Sequence, residues 1–592
     1  MASSFKGLRG LLALAVALAS THYTLAQSSN SVVIDTIYST IYSHKTPGGI
    51  DPGLLVKTSP KIAFVPGNAV TESVNSTDGG TTPTVVGVNI ASNRNLQTMT
   101  GGGCGVTDSA AIALQDLKAR DAEIYDEIMD LLFSQDDAVI EKGGVALSNI
   151  RSPLGASDFA GVLYSYSDTT DCSPDTDLKL FDIDKAVKMW ATHKDALARN
   201  PNIDHFFAPW SPPAWMKKPK DGERCSMIGG SLKPEYYGVF AQYLTKSMVA
   251  IKEKLGKTPY ALSIQNEPQY LPPNYPGNKL TPAQAAEIGD LTRAALDKAG
   301  LDSVGLTAFD HNWDGYQWPI DLLDNSTSYN SISWHCYGGQ PSSQLLVSNA
   351  YPDLPVFMTE CTVITQYNSE LWKNLRTQAI RMLIGTIQYG SSKSIFWNCA
   401  LVTDDDGFTT PTLPNVCTNC NAPIVIYNSG AGPAPANGGQ QLSHTSTPST
   451  KRAIPENPHQ RDGTVARPFS SVSRRQNNND GKPYYKLTSD YVTLMHFDRA
   501  TRPRSGSEKN AIRTGVTTSE QKNNNEDGER VRVSAFKTPL AGNKHRYSLI
   551  VLQKNDHELT GKYENVTLQI GFENMVANVT LPCGLHTLTW VA

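Results

Sequence analysis

The central part of the chain, from about residue 96 to 498, alternates between two hydrophobic patterns. Short apolar runs typical of buried strands occur at 97–106, 144–154, 203–209, 260–266, 304–310, 331–337, 355–361 and 394–401. Segments 110–133, 183–198, 285–299 and 371–389 instead place apolar residues at spacings of three and four, as amphipathic helices do. The alternation predicts an α/β fold, a (β/α)8 TIM barrel. A doubly wound sheet is the alternative, but its glycine-rich phosphate turn is missing.

The two ends of the chain show a different pattern, with short Val-, Ile- and Leu-rich runs separated by turn residues. These runs lie at 31–43, 61–65 and 84–90 near the N-terminus, and at 530–536, 545–553, 565–572 and 578–591 near the C-terminus. Such runs are typical of strands. We therefore predict an attached β-sandwich domain built from both chain ends.

Two segments lack apolar periodicity. Residues 428–481 are rich in Gly, Ser, Pro and Asn, and residues 503–527 include an Asn run, so both are predicted to be disordered loops. The first is either a solvated insertion or, through pairs such as Lys451-Arg452, a basic segment that binds an anionic polymer. The predicted organisation is a signal peptide (1–26), N-terminal sandwich strands (27–95), a catalytic barrel (96–427), the insertion (428–481), the last barrel helix (482–502) and the C-terminal β-sandwich (503–592).

The N-terminus has the composition of a secretory signal. Lys6 and Arg9 precede an apolar run at 11–19, and Thr24-Leu25-Ala26 offers small residues at a cleavage site. The apolar run is too short for a bilayer, which takes about 20 residues. We therefore expect a secreted, extracellular protein with no integral membrane segment after cleavage. Four glycosylation sequons, at Asn75, Asn325, Asn565 and Asn578, are consistent with that compartment.

Cysteine content and charge refine this picture. Nine cysteines in an oxidising compartment predict disulfides with one thiol left over, and Cys417-x-x-Cys420 is read as a loop disulfide or a weak zinc motif. The balance of 52 Lys+Arg against 56 Asp+Glu gives a net charge of −4 and no broad basic field, so nucleic acid is not an expected partner. A hydrophobic content of 39% excludes disorder of the whole chain.

The ends of the predicted barrel strands carry the candidate chemistry, because catalytic residues of such barrels lie at the C-terminal ends of their strands. Taken in order, these ends carry Asp108, Arg151 with Ser157-Asp158, Trp210-Ser211-Pro212-Pro213-Ala214-Trp215, Gln265-Asn266-Glu267-Pro268, Asp310-His311-Asn312-Trp313, His335-Cys336-Tyr337, Thr359-Glu360-Cys361 and Trp397-Asn398. Aromatic rings stack on the C–H faces of sugars, and amide and carboxylate groups bind sugar hydroxyls.

Two carboxyl groups, Glu267 on strand four and Glu360 on strand seven, are placed to face each other across the barrel mouth. Hydrolysis of a glycosidic bond needs such a pair, and in a retaining enzyme the two groups lie about 5–5.5 Å apart. Taken singly, each residue has a structural explanation: His335 as a core histidine, Trp210 as packing, and Asp108 as the cap of a helix that begins near Ser109. The combination across eight strand ends favours a sugar site.

The same runs resemble glycoside hydrolase family 30, a family of retaining (β/α)8 enzymes. The resemblance covers about residues 96–400. It rests on Gly103-Cys104-Gly105-Val106-Thr107-Asp108-Ser109, Asn149-Ile150-Arg151, Ala156-Ser157-Asp158-Phe159, Pro209-Trp210-Ser211-Pro212-Pro213-Ala214-Trp215-Met216-Lys217, Ile264-Gln265-Asn266-Glu267-Pro268, Asp310-His311-Asn312, Trp334-His335-Cys336-Tyr337, Phe357-Met358-Thr359-Glu360-Cys361 and Trp397-Asn398.

The resemblance implies a role for each matching residue. Glu267 is the expected acid/base, with a raised pKa, and Glu360 is the expected nucleophile. Asn266 is expected to hold the sugar 2-hydroxyl, and His335 and Tyr337 to orient the nucleophile. The remaining expected sugar-site residues are Asp108, Trp210, Trp397 and Asn398.

The expected substrate is a polysaccharide or a glycolipid. The Asp310-His311-Asn312, Trp334-His335-Cys336-Tyr337 and Met358-Thr359-Glu360-Cys361 runs are most similar to the secreted endo-β-1,6-glucanase branch, which degrades the β-1,6-glucan of fungal-type cell walls. The alternatives are a glucosylceramidase and a catalytically dead carbohydrate-binding barrel. The expected mechanism uses two carboxyl groups, so no cofactor and no metal is predicted.

Overall fold

The computed structural model describes residues 31–73, 84–219, 225–363, 371–404, 407–408, 410–417, 420–427, 483–504, 508–520, 529–554 and 564–592. The expected signal peptide (1–26), the insertion (428–481) and the sequon at Asn75 lie outside these residues. In the part that the structure describes, no helix has the length and apolarity that a membrane crossing requires.

Eight parallel strands form the closed barrel that the hydrophobic pattern predicts. All eight predicted strands are present, and several are shorter than the apolar run that indicated them. In chain order they are Gly102–Gly105, Asn149–Pro153, Asp204–Ala208, Ala261–Ser263, Gly305–Asn312, Ser331–His335, Val356–Glu360 and Ser391–Phe396. The last strand pairs with the first, through Ser394 and Gly102, and this pairing closes the ring.

Helices follow the barrel strands. They are Asp108–Arg120, Ala122–Phe133, Asp137–Glu141, Val187–Arg199, Tyr237–Leu255, Pro282–Lys298, Gln317–Leu323, Gln344–Ala350, Leu371–Gln378, Thr386–Gln388 and Ser489–Thr501, with a π-helical segment at Ala379–Gly385. The predicted helix 110–133 is two helices, because Asp121 ends the first and caps the second by accepting from the Ile124 N–H at 3.1 Å. Pro282 occupies the first turn of its helix, where its missing N–H costs nothing.

Inside the barrel, a buried lysine lies among aromatic side chains. Lys393 Nζ donates to Asn149 Oδ1 at 2.8 Å and to Asp204 Oδ2 at 2.7 Å, and it lies 4.4 Å from the centre of the Tyr260 ring. Phe357 packs beside it. The lysine therefore fixes strands two, three and eight relative to each other through charge-assisted hydrogen bonds.

The second domain is an 11-stranded sheet that both chain ends build, as predicted. Its strands are Val33–Ile41, Val56–Thr58, Ile62–Ala63, Val65–Pro66, Thr84–Ala91, Ile512–Thr518, Val531–Pro539, His545–Gln553, Val566–Phe572, Met575–Leu581 and Gly584–Val591. The predicted run 578–591 is thus two strands. Apolar residues from both halves of the sheet, such as Val86, Leu549 and Trp590, enclose one core.

The expectation that 503–527 is a disordered loop is wrong for its central part. Ile512–Thr518 is a strand that joins the two halves of the sheet. Its first residues pair with Ala535–Lys537 and its last ones, from Gly515, pair with Val88–Ala91. A strand that changes partners after three residues buries few apolar side chains on either face, which explains why its sequence is polar.

A small sheet that was not predicted extends the last barrel unit. It comprises Ala400–Asp404, Gly407–Phe408, Ile424–Tyr427 and Tyr484–Leu487. Tyr427 pairs with Tyr484, and their rings stack 4.7 Å apart. The two ends that flank the insertion therefore lie side by side.

Four disulfides form among the described residues. They join Cys104 to Cys399, Cys172 to Cys225, Cys336 to Cys361 and Cys417 to Cys420. The ninth cysteine, Cys583, is buried and belongs to none of these four. The interpretation of Cys417 and Cys420 as a loop disulfide is confirmed, and their interpretation as a zinc motif is not.

Candidate active site

The structure brings Glu267 and Glu360 to the same end of the barrel. Glu360 is the last residue of strand seven, and Glu267 lies four residues beyond strand four. Glu267 has a positive φ of 48°, and its N–H donates to the carbonyl of Asp310, itself at φ 57°, at 3.1 Å. Left-handed backbone is costly for residues other than glycine and is concentrated at functional sites. The strained ends of strands four and five thus fix the position of Glu267.

Two donors hold the carboxylate of Glu360. Arg151 donates from Nη1 to Oε2 at 2.7 Å, and Tyr337 donates from Oη to Oε1 at 2.9 Å. Both oxygens are therefore hydrogen-bonded, and the carboxyl group faces a buried positive charge. These two hydrogen bonds fix the orientation of the Glu360 carboxyl group.

Arg151 joins Glu360 to two other strand ends. Its Nη2 donates to Asn266 Oδ1 at 2.6 Å and to Asp310 Oδ2 at 2.8 Å. Burial opposes ionisation of Arg151, but Asp310 and Glu360 outweigh this and raise the pKa of the guanidinium. Burial likewise opposes ionisation of Asp310, while Arg151 and His335 hold the pKa of that carboxyl well below its usual range. Four strand ends are therefore tied together by one buried ionic network.

Glu267 contacts two histidines instead. Its Oε1 lies 3.1 Å from His335 Nδ1 and 3.2 Å from His311 Nδ1. Burial alone would raise the pKa of Glu267, but the two histidines outweigh it and lower that pKa to about 2. Burial would lower the pKa of His335, but Glu360, Asp310 and Glu267 outweigh it and raise that pKa to about 9. The raised pKa expected for Glu267 is therefore wrong for this structure, because the two histidines stabilise its ionised form.

His335 was expected to orient Glu360, but its hydrogen bonds go elsewhere. Besides Nδ1 on Glu267, its Nε2 lies 3.1 Å from Asp310 Oδ1, which also accepts from Thr359 Oγ1 at 2.6 Å. His335 is fully buried. It therefore positions the carboxyl group of Glu267, while Tyr337 contacts that of Glu360 as expected.

An aromatic wall stands beside the two carboxyl groups. The rings of Trp210 and Trp397 stack 5.3 Å apart, and the Arg151 guanidinium lies 5.1 Å from the centre of the Trp210 ring. Asn398, next to Trp397, accepts from Thr107 Oγ1 at 2.6 Å, and its buried Nδ2 has no hydrogen-bond partner among the described residues. Asn266 likewise engages its Oδ1 with Arg151. These amides can offer donors to a hydroxylated ligand.

Asp108 lies apart from this network. It is the first residue of its helix, and the cap is Thr107, whose Oγ1 accepts from the Ala110 N–H at 3.1 Å. The helix-cap interpretation of Asp108 is therefore wrong. Its Oδ1 accepts from Tyr164 Oη at 2.8 Å, while Oδ2 is buried with no hydrogen-bond partner in the structure described. Burial raises the pKa of Asp108 to about 7.

Several residues of the site were not among those assigned a role from the sequence. They are Arg151, Asp158, Asp310 and His311, which lie within the quoted motifs, and Tyr275, which does not. Burial, then the charge of Glu360 and that of Glu267, raises the pKa of Asp158 to about 8. Burial and the charges of Asp158, Glu267 and Glu360 raise the pKa of Tyr275. The position of Arg151 at a strand end was the signal for its role, whereas nothing in the loop of Tyr275 singled it out.

Two disulfides flank these strand ends. Cys336–Cys361 joins the residue between His335 and Tyr337 to the residue after Glu360. Cys104–Cys399 joins strand one to the residue after Asn398. Both bonds therefore restrain the backbone on which site residues are carried.

Comparison with known proteins agrees with this geometry. Residues 99–281 match the family model described as the glycosyl hydrolase family 30 TIM-barrel domain. The endo-1,6-beta-D-glucanase neg1 of Aspergillus fumigatus is 29% identical over 364 residues, covering 58% of this chain and 69% of that enzyme. The endo-1,6-beta-D-glucanase of Neurospora crassa is 29% identical over 349 residues, covering 57% of this chain and 67% of that enzyme. Putative glucosylceramidase 1 of Caenorhabditis elegans is 29% identical over 184 residues, covering 30% of this chain and 32% of that protein.

A solved structure shares the whole fold. The endo-beta1,6-glucanase BT3312 superposes with a TM-score of 0.65 at 21% identity, covering 95% of this chain and 99% of that one. The barrel and the attached sheet domain thus recur together in a known architecture.

Proposed function

We propose, from the premise that this chain carries a glycoside hydrolase family 30 domain, that it is a secreted endo-β-1,6-glucanase that works by double displacement. The observation that carries the proposal is the asymmetry of its two carboxyl groups. Glu360 faces the Arg151 cation and the Tyr337 hydroxyl, whereas Glu267 faces two imidazoles. Glu360 is bound by two hydrogen-bond donors, one of them a cation, and Glu267 lies beside a source of protons.

In the first step Glu360 attacks the anomeric carbon, and the bond from that carbon to the glycosidic oxygen breaks. A proton reaches the leaving oxygen from Glu267, so the products are a glycosyl ester of Glu360 and a free hydroxyl on the leaving sugar. In the second step water attacks the same carbon, Glu267 accepts its proton, and Glu360 is released as a carboxylate. The sugar keeps its anomeric configuration.

The acid proton belongs to a pair of residues in this proposal. Glu267 and His335 share one proton across a 3.1 Å contact, and the imidazole holds it before substrate binds. As charge builds on the leaving oxygen, the proton moves from His335 towards Glu267 and onto that oxygen. Glu360 raises the pKa of His335 while it is charged, so loss of that charge in the ester favours the deprotonated pair, and Glu267 can act as the base. The proton of the attacking water then restores the protonated pair as Glu360 becomes a carboxylate again.

The sugar ring at the cleavage point is proposed to stack on Trp210 and Trp397, with the amides of Asn266 and Asn398 on its hydroxyls. The contact of Asn266 Oδ1 with Arg151 leaves its Nδ2 for the 2-hydroxyl beside Glu360. Asp158, whose pKa of about 8 keeps it protonated at neutral pH, can donate to a further hydroxyl. Asp108 is proposed to act behind this layer, by fixing Tyr164.

The choice of β-1,6-glucan follows the alignments with two endo-1,6-beta-D-glucanases, which cover 58% and 57% of this chain. One observation favours a second candidate, a glucosylceramidase. Val162, Leu163, Tyr270 and Leu271 are 61%, 44%, 45% and 38% exposed, on loops that follow strands two and four at the site end of the barrel. Exposed apolar side chains there could face lipid tails.

Secretion and the domain organisation are part of the same proposal. Four disulfides are typical of an oxidising compartment. We propose that residues 1–26 direct export, that 96–427 with 482–502 form the catalytic barrel, and that 27–95 with 503–592 form the sandwich around the insertion at 428–481.

Two near-isosteric variants test the assigned roles. Glu360→Gln is expected to abolish turnover while the protein stays folded, because an amide cannot attack the anomeric carbon. Glu267→Gln is expected to lose activity on glucan but to keep much of it on an aryl glycoside, whose leaving group needs no proton. Circular dichroism controls for folding. Full activity of folded Glu360→Gln would contradict the nucleophile assignment, and equal losses of Glu267→Gln on both substrates would contradict the acid role.

A further inference from the structure

We infer that Glu267, His311 and His335 form a binding site for a divalent transition-metal ion, with Zn²⁺ as the probe, that competes with catalysis. One donor atom from each residue lies within 4.8 Å of those of the other two. Two imidazoles and one carboxylate are a ligand set that suits such ions.

The distances fit the coordination of zinc. Glu267 Oε1 lies 3.1 Å from His335 Nδ1 and 3.2 Å from His311 Nδ1. Donor atoms on a tetrahedral Zn²⁺, at bond lengths of about 2.0–2.1 Å, lie about 3.4 Å apart. Both distances from Glu267 therefore lie within a few tenths of an ångström of that separation, and the two imidazole nitrogens lie within 4.8 Å of each other.

The surroundings of the two histidines also match a metal site. His335 Nε2 faces the carboxylate oxygen of Asp310 at 3.1 Å, and Asp310 is itself held by Arg151 and Thr359. A carboxylate on the distal ring nitrogen is the usual partner of a metal-binding histidine, because it fixes the ring and makes the ligand more basic. His311 Nδ1 lies 3.2 Å from Glu267 Oε1 and is buried with no hydrogen bond of good geometry among the described residues, so no such bond is lost when it turns towards an ion.

Access is open on one side. The side chains of Glu267 and His311 are 15% and 13% exposed, while that of His335 is fully buried. An ion can therefore enter from the barrel mouth, displace the proton between Glu267 and His335 to water, and keep water at its fourth position, as open zinc sites do. If the proposed function is right, a bound ion occupies the Oε1 atom that must carry the acid proton, and it inhibits hydrolysis.

Zinc binding can be measured without any assay of activity. The full chain, freed of metal with a chelator, would be titrated with ZnCl₂ by calorimetry at neutral pH, alongside His311→Ala, Glu267→Gln and His545→Ala. His545 lies on the sandwich strand His545–Gln553 and serves as the matched control. We expect one site that both barrel variants weaken by at least about tenfold and that His545→Ala leaves unchanged.

Two results would overturn the inference. One is the same Zn²⁺ affinity in wild type, His311→Ala and Glu267→Gln; the other is no binding by wild type up to about 1 mM. If the variants fail to fold, anomalous diffraction from zinc-soaked wild-type crystals decides the matter, because the peak must lie between these three side chains. Zinc bound there in a protein without glucanase activity would support this inference while contradicting the proposed function.

Discussion

Tyr337 donates a hydrogen bond from Oη to Oε1 of Glu360 at 2.9 Å, on the oxygen opposite the one that Arg151 holds. The tyrosine side chain is 40% exposed, so it stands at the mouth of the barrel with only its hydroxyl committed to the carboxylate. This hydrogen bond orients the carboxyl group of Glu360.

Loss of that hydroxyl should slow the chemical step. Tyr337→Phe removes one hydrogen bond to a charged group, which contributes about 1.5–3 kcal/mol. We expect kcat to fall by about 10–100-fold with a small change in KM, measured on soluble glucan. A fall confined to KM would show that Tyr337 binds the substrate instead of orienting the nucleophile.

The proton shared by Glu267 and His335 should be visible in the pH dependence of activity. In His335→Gln the imidazolium is lost, and the basic limb of the kcat/KM profile should move to lower pH. The physical reason is that the pKa of His335 is about 9, above the range in which a lone buried carboxyl group keeps a proton. Superimposable profiles of wild type and variant would exclude the pair as the acid.

The Cys336–Cys361 bond should matter more for rate than a disulfide elsewhere. Replacing both cysteines with alanine frees the ends of strands six and seven next to His335, Tyr337 and Glu360, so kcat should fall by about tenfold or more while the fold persists. The matched control is the Cys172/Cys225 double alanine variant, which removes a bond that joins two loops. Equal kcat losses in the two double variants would show a general effect of disulfide removal.

Buried histidines should make the fold sensitive to mild acid. His193 is fully buried with its Nε2 within hydrogen-bond distance of Ser152 Oγ, at 2.9 Å, and burial lowers its pKa from 6.5 to about 3. The unfolded chain therefore binds more protons between these values, and stability falls as pH drops through 6.5. From pH 7 to pH 5 this residue should cost about 2 kcal/mol of unfolding free energy.

Urea unfolding of wild type and His193→Gln at both pH values measures that contribution. The variant should lose about 2 kcal/mol less than wild type between the two conditions, because glutamine does not titrate. Parallel losses would mean that His193 is not the group that acid protonates on unfolding.

Most of the candidate site could be predicted from the sequence because the barrel topology brings the ends of its strands together. Runs as far apart as Arg151 and Glu360 meet only because each follows a parallel strand, and the order of the strands fixes which ends are neighbours. Glu267, Asn266 and Trp210 were found in the same way. The rule gives the position of a side chain on the barrel but not its hydrogen-bond partners, so His335 was assigned to the wrong carboxyl group.

Features that depend on local backbone or on distant loops were missed. The strand Ile512–Thr518 was not predicted because its sequence is polar. It changes partner strands halfway along and therefore buries few apolar side chains on either face. Disulfide pairing was left open because nine cysteines allow many combinations. The low pKa of Glu267 depends on His311 approaching from strand five, which needs the positive φ of 78° at Phe309 and 57° at Asp310. No pattern of residue types encodes that turn.

The most direct measurement is the time course of products from linear β-1,6-glucan, followed by chain-length analysis and by proton NMR of the new reducing ends, with glucosylceramide assayed in parallel. Double displacement on β-1,6-glucan predicts short β-1,6-linked oligomers whose reducing ends appear first as the β anomer, and little glucose from the lipid. Reducing ends that appear first as the α anomer would contradict the double displacement through Glu360. Glucose released from glucosylceramide, with the glucan left intact, would contradict the proposed substrate.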